Sequence, residues 1–169
     1  MSVELDFEAL VNRHYGALYR FALSLTQQES DAADLTQQTF HLWALKGHQL
    51  RDRSKAKTWL FTTLHRQFLE SRRRAARFPH QELGECTLEL PSVSPAEIHA
   101  LDAGALLEAL GRIDPAYQAA VALFYLEDHS YQEIADLLEV PLGTVKSRIS
   151  RGIGQLQRQL LEMPHPHRS

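Results

Sequence analysis

The stretch SYQEIADLLEVPLGTVKSRI, residues 130–149, decides how the chain is read. Ser130 followed three residues later by Glu133 is a capping box, in which each side chain satisfies an orphan backbone N–H at a helix start. Ile134, Ala135 and Leu138 then share one helical face. Pro141 interrupts the pattern because it has no N–H to donate and restricts the residue before it. From Leu142 the period resumes, with Val145, Ile149, Ile153 and Leu156 inward. Thr144, Ser147, Arg148 and Arg151 face outward, with Lys146 at the edge. Two helices joined by a tight turn, the second carrying short hydroxyls and cations, form the geometry that sets side chains against base edges in a major groove. An outward basic face is also what any solvated helix presents, so the rest of the chain must decide.

The 169 residues suffice for one medium domain or two small ones, and 44% apolar with 23% charged residues is ordinary for a soluble globular protein. No apolar run approaches the ~20 residues that span a bilayer, and the first residues lack the basic start and apolar core of a signal peptide. The lone Cys86 has no internal disulfide partner, so a reducing cytoplasm is expected. A net charge of −3 hides a segregated distribution. Residues 51–78 carry nine cations and two acids, whereas 79–128 carry one cation and nine acids. Arg72, Arg73 and Arg74 alone would merely complement a helix C-terminus. That leaves Arg51, Arg53, Lys55 and Lys57 at the other end of the same helix to be explained.

Taken in order, Phe7, Leu10, Val11, Leu18, Phe21, Ala22 and Leu25 predict a first helix over residues 6–25, with Tyr15 and Tyr19 beside its core face. Ser30 is expected to cap a second helix, with Asp31 and Asp34 in its first turn, Leu35, Thr39, Leu42 and Trp43 inward, and Gly47 as its C-cap. Its outer face holds Asp34, Gln37, Gln38 and His41. After a loop over residues 48–53, Ser54 is expected to cap a third helix with Ala56, Trp59, Leu60, Thr63, Leu64 and Phe68 inward. Trp59 could stack on an unpaired base, but its place on the apolar stripe favours the core. The better nucleic-acid candidates are the polar groups of the loop and helix: His48, Gln49, Arg51, Arg53, Ser54, Lys55, Lys57, His65 and Arg66. Residues 78–95, rich in proline and glutamate, break all periodicity and read as an extended acidic linker. Beyond it, Ile98 to Ile113 forms another amphipathic stripe, Asp114-Pro115 starts a further helix, and residues 164–169 form a tail. The fold expected is all-α, with no convincing strand.

Catalytic chemistry finds no foothold. The nine histidines show no metal-ligand spacing, Gly143 to Ser147 lacks the first glycine and preceding strand of a phosphate loop, and no nucleophile sits on a strained turn. No cofactor, metal or small-molecule substrate is expected.

The ordered set DAADLTQQTF (31–40), Thr58-Trp59-Leu60-Phe61, the basic Arg72 to Arg74, the acidic linker and the motif at 131–148 resembles the extracytoplasmic-function, group IV, bacterial sigma factors from about Phe7 to Leu161. The resemblance implies two small helical domains: sigma domain two over 1–77 and sigma domain four over 96–163, joined by the linker. It implies a non-enzymatic cytoplasmic subunit of RNA polymerase, without membrane insertion, and an anti-sigma factor that restrains it. Domain two would dock on the β′ clamp through Asp34, Gln37, Gln38 and His41, and would melt the minus-ten element against the set from His48 to Arg66. Domain four would bind the β flap and read minus-thirty-five duplex through Thr144, Lys146, Ser147, Arg148 and Arg151. The sequence departs from the family pattern at Gln38, where Glu is common, at Arg66, where Asn is common, and at Glu139, where Gly is common. Ile153-Gly154-Gln155 also lacks the usual cations. Two competing readings stay open on the residues: a stand-alone helix–turn–helix regulator, and a histidine-using metal sensor or helical enzyme.

Overall fold

The computed structural model describes residues 2–76 and 103–162. The linker expected at 78–95, the tail at 164–169 and the start of the stripe at Ile98 and Leu101 lie outside the described residues. Within them the chain forms α-helices and 3₁₀ turns and no strand. The helices are α1 (Ser2–Thr26), α2 (Glu29–Lys46), α3 (Ala56–Ala75), α4 (Ala103–Leu110), α5 (Pro115–Tyr125), α6 (Tyr131–Leu138) and α7 (Leu142–Glu162). Among the described residues no helix is long and apolar enough to cross a membrane.

Two helix starts follow their sequence signals closely. Asp114 accepts from the Ala116 N–H at 2.9 Å with Pro115 in the first helical position. At α6 the capping box is reciprocal: Ser130 Oγ accepts from the Glu133 N–H at 3.1 Å, and Glu133 reaches back to the Ser130 N–H at 3.5 Å. Two other expected caps are corrected. Ser30 lies inside α2, because the Gln28 carbonyl already accepts the first helical bond, from Ala32 N–H at 2.9 Å. Asp34 therefore falls beyond the first turn, which holds Glu29 and Asp31. Ser54 does not cap α3 either, since the Asp52 carboxylate captures it, accepting from its N–H at 3.0 Å and its hydroxyl at 2.6 Å. These bonds hold the Asp52 carboxyl below its usual range and start a 3₁₀ turn, Arg53–Lys55, that leads into α3. Gly47 keeps a right-handed φ of −60°, and the chain continues into the 3₁₀ turn Gly47–Gln49. Glycine is needed there for space, because a Cβ would stand 2.6 Å from the Trp43 indole.

α1 packs on α2 and α3, and α5 packs on α7, with α6 between α5 and α7. The N-terminal core holds Leu18, Phe21, Leu60, Phe61 and Leu64, and the C-terminal core Leu110, Leu123, Ile134, Ile149 and Leu156, all essentially inaccessible. Each such side chain contributes about 1.5–3 kcal/mol of apolar burial. Buried Thr36 and Thr39 return their hydroxyls to the carbonyls one turn back, at 2.7 and 2.8 Å, so neither hydroxyl is left unpaired. Trp59 is half-buried, its ring edge-on to Trp43 at 5.3 Å, as its place on the apolar stripe predicts.

The two halves also pack on one another. α1 meets α4 and α5, and α3 meets α6, so the buried residues form one continuous cluster. Gln118 of α5, buried, donates to the Ser24 carbonyl of α1 at 2.6 Å and to the Leu110 carbonyl at 3.0 Å. Thr62 of α3 donates to the Leu137 carbonyl of α6 at 2.9 Å. The Arg20 guanidinium grips both oxygens of Glu127 at 3.1 and 3.2 Å.

Candidate nucleic-acid interface

The interface is built first from the motif that opened the sequence. α6 ends at Glu139, whose φ of 58° and ψ of 46° place it in the left-handed region. That residue turns the chain so that the Pro141 carbonyl accepts the first bonds of α7, from the Thr144 and Val145 N–H groups at 3.0 and 3.2 Å. Val145, Ile149 and Leu156 are buried against the rest of the half. The helical period then leaves Lys146, Ser147 and Arg151 exposed, with Thr144 and Arg148 half-buried. Three cations and two hydroxyls on one exposed helix suit phosphate contacts and base-edge hydrogen bonds.

The second set lies along the start of α3. His48 and Gln49 occupy the first 3₁₀ turn, Arg53, Ser54 and Lys55 the second, Arg51 the link between them, and Lys57 the first turn of α3; all are exposed. Their charge is displayed on two short 3₁₀ turns, and a row of cations suits a phosphate backbone. The hydroxyl proton of Ser54 is engaged by Asp52. His65 and Arg66 stand further along α3, His65 half-buried and Arg66 exposed.

The polar face of α2 keeps Asp34, Gln37, Gln38 and His41 exposed. Asp34 and Gln38 border a groove of about 720 Å³ between α2 and the end of α3, shared with Asp31, Glu70, Arg72 and Arg74. Gln37 and His41 are not among the residues that line it.

The structure brings together two sets that the sequence kept apart. Arg66 Nε donates to the Glu139 carboxylate at 2.7 Å, joining α3 to the turn before α7. His65 is pushed down to about 4, by burial first and then by the Arg148 guanidinium, with Glu139 pulling the other way. His129, buried between α5 and α6, sets its ring edge-on to Phe61 of α3 at 5.2 Å. Its ring nitrogens have no hydrogen-bond partner, and its Nδ1 lies 3.9 Å from the Glu133 carboxylate. Burial and Lys57 lower its pKa, against Glu133 and Asp128. Sequence reasoning missed Arg20, Thr62, Gln118 and Glu127 as the residues that join the halves. A faint signal existed in Phe61 and His65, which continue an apolar face of α3 beyond its main stripe.

Comparison with known proteins agrees with this arrangement of parts. Residues 10–78 match Sigma-70 region 2, and residues 103–156 match Sigma-70, region 4. The chain is 36% identical over 159 residues to the ECF RNA polymerase sigma factor SigE of Mycolicibacterium smegmatis, covering 92% of this chain and 62% of that relative. It is 30% identical over 158 residues to the ECF RNA polymerase sigma factor SigL of Mycobacterium tuberculosis, covering 92% of this chain and 89% of the relative. The sigma factor RpoE from Bartonella quintana, solved in complex with the anti-sigma factor NepR, superposes with a TM-score of 0.71 at 25% identity, covering 94% of this chain and 99% of that one. CnrH, solved with the cytosolic domain of CnrY, shares the fold with a TM-score of 0.66 at 23% identity over 95% of this chain and 91% of that one. With both regions matched in order and nearly the whole length aligned, the chain belongs to the extracytoplasmic-function RNA polymerase sigma factors.

Proposed function

We propose that the chain is an alternative sigma factor, which binds core RNA polymerase, directs it to a set of promoters and catalyses nothing itself. The observation that carries this reading is the presence, in one chain, of two differently built basic surfaces. An exposed helix after a tight turn suits paired DNA, and a row of cations on short turns suits a strand pulled free. Thr144, Lys146, Ser147, Arg148 and Arg151 read the minus-thirty-five duplex, with phosphates supplying affinity and base edges selectivity. His48, Gln49, Arg51, Arg53, Ser54, Lys55, Lys57, His65 and Arg66 receive the minus-ten strand, where cations hold phosphates and an unstacked base is read in a pocket. Asp34, Gln37, Gln38 and His41 dock on the β′ clamp, and residues 96–163 reach the β flap. The division of labour follows domain boundaries at 1–77 and 96–163.

The protein acts where polymerase is, in the cytoplasm, and an anti-sigma factor holds it in check, as the complex of RpoE with NepR suggests by analogy. In vitro transcription with purified core polymerase across a promoter library tests the proposal. Promoter-specific transcripts that need the chain support it. Operator binding without any effect on polymerase would make the protein a stand-alone regulator instead.

A further inference from the structure

His129 is buried at the entry to α6, where only 3% of it is accessible. Neither ring nitrogen has a hydrogen-bond partner among the described residues, which is unusual for a ring that both donates and accepts. The backbone on either side of it carries the start of the motif formed by α6 and α7. Its own N–H donates to the Leu123 carbonyl in the last turn of α5, at 3.0 Å, and folds the segment back. Ser130, the next residue, caps α6 by accepting from the Glu133 N–H at 3.1 Å. Asp128, the residue before, holds a left-handed backbone at φ 54°, which a residue with a Cβ resists. The seated ring therefore keeps a strained turn closed and the α6 cap in register.

The charges around the ring oppose one another. From α3, Lys57 faces it, and the Phe61 ring stands edge-on at 5.2 Å. Its own segment contributes Asp128, and α6 contributes Glu133, whose carboxylate lies 3.9 Å from Nδ1. α5 carries no charged side chain. Burial first, and then Lys57, favour the neutral ring over the pull of the two carboxylates. An imidazolium held in place would leave an N–H without an acceptor, because Glu133 approaches only Nδ1. That carboxylate is also 58% exposed and already accepts from the Ser130 N–H at 3.5 Å. A buried charge so incompletely paired is expelled rather than held.

We infer that His129 is a proton-operated latch on the motif of α6 and α7: neutral, it seats the start of α6, and protonated, it leaves the core and unseats the Ser130 cap. That the latch governs promoter reading through α7 rests on the sigma-factor reading, whereas the latch itself does not. The closed segment binds fewer protons than the open one, so closure is lost as pH falls below about 6.5.

Amide hydrogen exchange of the full chain, expressed as protection factors, tests the latch residue by residue. The reporters are the N–H groups of His129, Glu133 and Ile134, bonded to the Leu123 carbonyl, Ser130 Oγ and the Ser130 carbonyl. The Ala32 N–H at the start of α2, bonded to the Gln28 carbonyl, is the control. A latch that governs reading leaves a large share of the molecules open in acid. From about pH 7.5 to about pH 5 the wild type is expected to lose about tenfold protection at the reporters, ending near the unprotected rate, and clearly less at Ala32. His129→Leu, which takes up no proton there, is expected to lose no more at the reporters than at Ala32. If leucine costs helical circular dichroism, His129→Phe, which keeps a ring against Phe61, takes its place. Affinity for a labelled minus-thirty-five duplex, chosen from the transcribed promoters, is expected to fall about threefold over the same range in the wild type relative to the His129 variant, the loss for a competent fraction near one third. Both proteins share every other histidine, so the difference belongs to His129. Equal losses of protection in the two proteins, protection that rises in acid because Glu133 seats the imidazolium, or opening that leaves duplex affinity level with the variant overturns the inference. A chain that drives no transcription and binds no duplex at either pH refutes the sigma-factor reading, while the exchange data still decide the latch.

Discussion

Arg66 on α3 and Glu139 in the turn before α7 are hydrogen-bonded to each other at 2.7 Å. Glu139 takes a left-handed backbone at φ 58°, which a residue with a Cβ resists. Together they tie the helix that would hold a single strand to the motif that would read a duplex.

The two effects at Glu139 differ in size, and the difference is measurable. A left-handed residue with a Cβ costs about 1 kcal/mol relative to glycine. The ion pair joins side chains more than half exposed, at 64% and 51%, and so contributes roughly 0.2–1 kcal/mol. Glu139→Gly is expected to leave stability unchanged or raise it by up to about 0.5 kcal/mol in urea denaturation. A loss above about 1 kcal/mol would show that the pair outweighs the backbone strain.

The two basic surfaces are expected to fail differently. Arg148→Ala and Arg151→Ala should each weaken duplex binding by about 1–3 kcal/mol if they reach base edges, or flatten the salt dependence by about one unit if they hold phosphates. Arg51→Ala should leave duplex binding near wild type and reduce promoter opening, followed by permanganate reactivity of unpaired thymines. Identical defects from both sets would refute the division of labour.

Acid should weaken the fold through its histidines. His65 falls from 6.5 to about 4, while His14 and His129 are lowered as well, each chiefly by burial. The folded chain therefore binds fewer protons than the unfolded chain between about pH 6.5 and 4, and stability is lost as pH falls through that window. The groups facing His65 are Arg148, which deepens the shift, and Glu139, which opposes it. The raised Glu127 acts in the opposite sense near the acid end, since its folded form takes up a proton first. His65 alone corresponds to a loss on the order of 3 kcal/mol. Urea midpoints from pH 7 to 4.5 should fall for the wild type and fall markedly less for His65→Gln; equal slopes would assign the acid sensitivity elsewhere.

Close packing behind α7 sets a further test. Gly152 is buried where α7 crosses α5, and a Cβ there would collide with Val121 Cγ2 and stand 3.1 Å from Tyr117 Cβ. Gly152→Ala is expected to destabilise by about 1–3 kcal/mol, although alanine is the better helix former. A neutral result in thermal denaturation would mean that α7 can move off α5 at little cost.

Local chemistry made much of this legible from sequence. The capping box at Ser130 and Glu133 and the Asp114-Pro115 start need only neighbours within a turn, and both form as written. The caps assigned to Ser30 and Ser54 failed because another acceptor nearby, the Gln28 carbonyl or the Asp52 carboxylate, took the position. Apolar stripes announced which face of each helix is buried, but not against what. Phe61 and Gln118 are buried by partners roughly seventy and ninety residues away, a pairing no helical period encodes. The candidate binding residues were legible as exposed charge, whereas the bond between Arg66 and Glu139 was not, because each belongs to a different half.

The most direct measurement is run-off transcription by purified core polymerase with and without the full chain on a promoter library. The account predicts transcripts that appear only with the chain, share sequence at two spaced elements, and are lost when Arg148 and Arg151 are replaced together by alanine. Unchanged transcription, with no copurification of the chain with core polymerase, would contradict it.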